Sequence, residues 1–198
     1  LRDPDGRWYG LSVRARTLVY NPEKVEAGEL TDYAGLADER WKGHLCLRTS
    51  KKVYNQSLVA MLIAKHGVAR TEEIIRGWVA NLATSVFSDD TAVLKAVAAG
   101  QCAVGVVNTY YVGRLQKESP DLPLKLHWPP ETHVNVSGAG VTRYAKHADA
   151  AKAFLVWLAS REAQQDFASV NLEYPANPAV TVDPFVAAWG EYTASPLN

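Results

Sequence analysis

Residues 96–115 read AVAAGQCAVGVVNTYYVGRL, and the order of their properties decides the fold. Cys102 to Val107 is an unbroken apolar run of strand length between Gly100 and Asn108, as expected of a strand buried on both faces. Asn108-Thr109 follows at once and can cap a helix from Tyr110 to about Glu118. A buried strand feeding directly into a helix predicts an α/β architecture built on a parallel sheet. Ligands in such sheets gather at the carboxyl ends of the strands, which is where Tyr110 and Tyr111 fall.

Working outward, Asp89-Asp90-Thr91 caps a preceding helix that ends at Gly100, and Thr71 caps another with Glu72 and Glu73 in its first turn. Leu58, Val59, Leu62 and Ile63 carry helical spacing from Asn55 to His66, with Gly67 as the stop. His44 to Arg48 reads as a short strand, and RWYGLSVRARTLVY (7–20) alternates along one long, half-buried strand. Downstream, Pro120, Pro123, Pro129 and Pro130 mark a connector, HVNVSGAGVT (133–142) a second long strand, and 148–159 and 161–170 two helices. The two long strands bracket the α/β segment, as in a chain that leaves one lobe and later returns to it. The predicted organisation is therefore a hinge strand and remnant of a first lobe at 1–20, a second lobe at 21–125, and a return strand with the first lobe's C-terminal helices at 126–198.

Composition narrows the function. The 198 residues are 47% hydrophobic, and 21 Lys and Arg balance 21 Asp and Glu, so no global field attracts nucleic acid or an anionic membrane. The longest apolar stretches, such as Phe154 to Ala159, fall far short of the roughly twenty residues a membrane span needs. Cys46 and Cys102 are the only cysteines and can pair once in an oxidising compartment. No two histidines have metal-ligand spacing, and no nucleophile elbow, phosphate loop or zinc-protease motif occurs.

Oxygen chemistry is more promising. Tyr110 and Tyr111 sit at a predicted helix N-terminus, where unsatisfied N–H groups and a partial positive charge favour a phenolate over a phenol. Tyr54 occupies the analogous place after the 44–48 strand. The bland alternative is three half-buried aromatics with wet hydroxyls. Arg14 and Arg16 share a strand face and Arg48 ends the next strand; they suit either anion contacts or an ordinary solvated face.

The segments WYGLSVRARTLVYN (8–21), VYNQSLVAMLIAKHG (53–67), 96–115, THVNVSGAGV (132–141) and NLEYPANP (171–178) together resemble the periplasmic ferric-ion-binding proteins of ABC-type iron importers. The NTYY element with an upstream YNxSL and RxR carries the resemblance. It implies a class II periplasmic-binding-protein fold of two lobes joined by hinge strands, closing over Fe(III), with Tyr54, Tyr110 and Tyr111 as phenolate ligands. Arg14 is expected beside the metal and its tyrosines, or beside a synergistic anion such as carbonate. Fe(III) is a hard cation that prefers oxygen donors, and three phenolates neutralise its charge. The resemblance also implies a monomeric, non-catalytic carrier in the periplasm, or tethered outside the cytoplasmic membrane, that serves an inner-membrane ABC permease. Cys46 and Cys102 would start neighbouring strands and could be disulfide-bonded or remain a reduced pair. The family's first lobe draws most of its sheet from residues upstream of those matched here, so that lobe is expected to be incomplete and the chain to be a fragment or part of a split protein. The alternative is a binding protein for a small anionic or organic solute.

Overall fold

The computed structural model describes residues 1–197. In chain order its elements are β1 (Tyr9–Tyr20), β2 (Leu45–Cys46), α1 (Val53–His66), α2 (Val68–Ala80), α3 (Asp90–Ala98), β3 (Val104–Asn108), α4 (Thr109–Glu118), β4 (Lys125–His127), β5 (Val134–Ala139), α5 (Ala148–Leu158), α6 (Arg161–Val170), β6 (Tyr174–Pro175) and α7 (Pro184–Ala187). They fall into two compact units: a larger one of Ala15–Val134 with the C-terminal stretch from Glu191, and a smaller one of Leu1–Arg14 with Asn135–Gly190.

In the larger unit the strand order is β2-β3-β1-β4. β2 and β3 are parallel, as strand-then-helix alternation requires, but β1 runs antiparallel to both β3 and β4. The all-parallel expectation is thus corrected to a mixed sheet, because β1 enters from the long N-terminal strand rather than through a helical crossover. Successive strand residues face opposite sides, and this period of two builds three layers. Leu18, Tyr20, Val104 and Val106 face α1 and α2, packing with Leu58, Met61, Leu62, Ile74 and Trp78. Val19, Cys46 and Val107 face α3 and α4, packing with Val93, Leu94, Val97, Val112 and Leu115. Gly105 keeps the second layer close, since a Cβ there would lie 2.7 Å from Val93 Cγ1. Cys46 and Cys102 form a disulfide, with Cα atoms 5.8 Å apart, that ties β2 to the approach of β3.

Gly67, at φ 77°, ends α1 and starts α2 in one residue. Thr71 therefore does not cap α2; it lies inside the first turn and its hydroxyl donates to the Gly67 carbonyl at 2.8 Å. The 44–48 strand shortens to two residues, and the proline-rich connector contributes β4, which pairs with β1 at Leu18, Val19 and Tyr20. Prolines on both sides had disguised that strand, which survives because it lies at a sheet edge.

In the smaller unit the first half of β1 pairs with β5 and β6, with Ser12 opposite Pro175 and Val13 opposite Tyr174. The Ser12 hydroxyl donates to the Glu173 carboxylate. Buried Gln164 on α6 joins neighbouring segments: its Nε2 donates to Leu158 O at 2.9 Å, and its Oε1 accepts from Ala176 N at 2.8 Å. No residue of α5 is buried, and Phe154, Val156 and Trp157 are exposed. Among the described residues no helix is long and apolar enough to cross a membrane.

Candidate metal centre

β2 and β3 are adjacent and parallel, so the helices that follow them start at the same end of the sheet. Tyr54 is the second residue of α1, and Tyr110 and Tyr111 are the second and third of α4. Two first turns thus deliver three phenols to one place. The rings of Tyr110 and Tyr111 lie 4.2 Å apart at 31°, and the hydroxyls of Tyr111 and Tyr54 lie close enough to act on the Tyr110 phenol. Tyr110 is nearly buried, whereas Tyr54 and Tyr111 keep partial access to solvent. Burial, reinforced by the neighbouring hydroxyls and the repulsion among their charged forms, raises the Tyr110 phenol above its ordinary value. Tyr110 thus holds its proton more tightly than a free phenol does.

Two cations face the rings. The Arg114 guanidinium lies 5.0 Å from the centroid of Tyr110, and Arg48 lies 5.6 Å from that of Tyr54. Arg48 does not belong to a solvated strand face, and neither does Arg16. Arg16 is fully buried, and its Nη1 reaches Asp90 Oδ2 at 3.1 Å while Arg48 Nη1 reaches Asp90 Oδ1 at 3.1 Å. Both guanidinium groups are thus already engaged by an internal carboxylate. Arg14 is half-buried on β1, at the boundary residue of the smaller unit.

Asn55, next to Tyr54, accepts from Arg16 Nη2 at 2.6 Å and donates to Arg48 O at 2.9 Å. Asn108 occupies the N-cap position of α4 without capping it; its Oδ1 accepts from Arg16 Nη1 at 3.2 Å, and its N–H donates to Asp90 Oδ2 at 2.8 Å. Sequence reasoning missed Asp90, Asn55 and Asn108 as a connected group. The available signal was redundancy: Asp89 alone caps α3, accepting from Ala92 N at 2.9 Å, which left its acidic neighbour without a local role. Among the described residues no three His, Cys, Asp or Glu side chains are grouped to hold a metal, so the tyrosines are the donor set to consider.

The chain is 44% identical to Iron uptake protein A2 of Synechocystis, over 100% of this chain and 61% of that protein. It is 29% identical to the Fe(3+)-binding periplasmic protein of Serratia marcescens, over 92% of this chain and 56% of that protein. The chain therefore spans about three fifths of the length of the curated relatives it matches. Among solved structures it superposes on apo FutA2 from Synechocystis with a TM-score of 0.93 at 44% identity, covering 100% of this chain and 67% of that one. It superposes equally, at 0.93 and 38% identity, on the Trichodesmium protein IdiA (FutA) in complex with iron and citrate ligands, covering 98% of this chain and 65% of that one. The two-lobe binding-protein fold expected from sequence is present, with one lobe partial. With its family pattern matched over residues 1–188, the chain belongs to the bacterial extracellular solute-binding proteins.

Proposed function

We propose that this chain carries ferric iron, holding it through the phenolates of Tyr54, Tyr110 and Tyr111 and delivering it to an ABC-type importer in the inner membrane. The observation that carries this reading is the convergence of three phenols from two helix N-termini, with Tyr110 against both Tyr111 and Tyr54. Such an oxygen-only set suits a hard trivalent cation, and three phenolates balance its charge. The iron-uptake relatives, including one bound to iron and citrate, support the same cargo. Remaining coordination positions fall to a small anion, carbonate or a carboxylic acid such as citrate, with Arg14 as its neighbour or as a neighbour of the tyrosines. The chain acts as a monomeric carrier in the periplasm, or tethered outside the cytoplasmic membrane, and performs no chemistry beyond exchange of protons for metal.

Because each phenol must lose a proton to ligate, ferric affinity rises with pH and iron is released as the solution is acidified. Titration with ferric citrate, followed in the visible spectrum, tests the reading: a broad tyrosinate-to-iron charge-transfer band is expected. Tyr110→Phe and Tyr111→Phe should each lower ferric affinity by orders of magnitude without changing the fold. Unchanged affinity in either variant removes the tyrosine site, and a colourless protein that gains thermal stability with an organic or anionic solute favours that solute as cargo.

A further inference from the structure

We propose that Asp90 is the positioning residue of the tyrosine site: by bridging Arg16 and Arg48 it clamps the first turns of α1 and α4 to the sheet, so that the Tyr54 and Tyr110 hydroxyls meet. The proposal rests on the reading of these tyrosines as the iron seat. Its basis is a continuous internal path between the two helices. Tyr54 is followed by Asn55; Asn55 Oδ1 accepts from Arg16 Nη2 at 2.6 Å; Arg16 Nη1 pairs with Asp90 Oδ2 at 3.1 Å. The same Asp90 oxygen accepts from the N–H of Asn108 at 2.8 Å, two residues before Tyr110. The other Asp90 oxygen holds Arg48, whose carbonyl accepts from Asn55 at 2.9 Å and closes the circuit.

Burial makes this arrangement informative. Arg16, Asp90 and Asn108 are fully buried and Arg48 is nearly so, which places two guanidinium groups and one carboxylate in the interior. Interior charge clusters are poor sources of stability, since well-packed apolar side chains usually serve as well or better; geometry is what such a cluster can specify. The local alternatives are also refused. Asp89 caps α3 without Asp90, and Asn108 sits at the N-cap of α4 yet spends its oxygen on Arg16. Asp90 and Asn108 thus both lie at helix starts without capping them and are committed to the circuit instead.

The test separates geometry from stability with two variants of the full chain, Asp90→Asn and the apolar replacement Arg16→Met/Arg48→Met/Asp90→Leu. The apolar variant leaves no charge orphaned but removes the partners of the Asn108 N–H and of the Asn55 and Asn108 side-chain oxygens, so it is expected to fold and to melt somewhat below the parent. Both are expected to bind ferric iron about 10–100-fold more weakly in competition with citrate, the range of outer-sphere substitutions at metal sites, and to shift the charge-transfer band. A folded apolar variant with parental affinity and an unmoved band overturns the proposal while leaving the iron reading intact. If Asp90→Asn does not fold, the apolar variant decides alone. If the parent itself gives no band, the iron reading fails. Positioning is then decided in the cation-free protein by ¹⁹F resonances of 3-fluorotyrosine at 54 and 110. Movement of both in the apolar variant, but not in the surface control Lys65→Ala, sustains the proposal; parental resonances in the apolar variant end it.

Discussion

The larger unit hides Leu58, Ile74 and Val93 to 1% exposure or less, whereas α5 in the smaller unit, with only Asp149 and Lys152 charged, leaves Phe154 57% and Val156 74% exposed. The two regions are alike in apolar supply and opposite in outcome. A strand or helix that is apolar needs cover, but cover comes from neighbours, and the larger unit has a four-stranded sheet with helices on both faces to provide it. The lesson is that apolar content states a demand, while topology decides whether it is met.

The comparison can be tested by substitution. The largest effect is expected at the buried charges: Asp90→Ala, which orphans two guanidinium groups, should cost about 4 kcal/mol in denaturant unfolding. Leu58→Ala in the α1 layer should cost about 3 kcal/mol, and Phe154→Ala on α5 less than about 0.5 kcal/mol. If those two costs prove similar, the contrast between the units is broken. Reduction of Cys46–Cys102, which closes a separation of 56 residues, should lower the stability of the larger unit by about 3 kcal/mol, read as a shift in its unfolding midpoint under reductant.

Alkaline pH should distinguish the units more gently. Burial raises the phenols of Tyr33 and Tyr110, and Tyr192, stacked on Trp128, is pushed up to about 12; all three belong to the larger unit. A raised folded value means the native state holds the proton more tightly. That stability is fully present below the unfolded phenol value of about 10 and is lost as pH climbs through the higher folded values. Unfolding curves at pH 9 and pH 11 should therefore differ by a fall in the larger unit's midpoint, and equal midpoints would contradict the burial described for these residues.

Much of this was legible in sequence where local rules and tertiary structure agree. Gly67 ends α1, Asp89 begins α3, and β3 runs into α4 as the 96–115 segment demands. Thr71 misled because its hydroxyl satisfies a carbonyl one turn back as readily as it caps. β4 and β6 escaped notice because two- and three-residue strands carry no periodicity; they exist only because β1 offers them an edge. The tyrosines were named by motif and position, whereas Arg16 and Arg48, read as anion contacts or a solvated face, proved to be interior.

The sequence by itself determined the main helices, the buried strand β3 that runs into α4, and the tyrosines at two helix starts, because periodicity, capping and strand-to-helix succession act within a few residues. Only the tertiary structure decided that Asp90, 74 positions from Arg16 and 42 from Arg48, joins them, and that the phenols of α1 and α4 come near one another. Those meetings depend on how β1 lies against β3, a long-range pairing that no local preference encodes. The charges remain there because, once the sheet has closed, water is gone and a buried guanidinium has only the partners the fold brings to it.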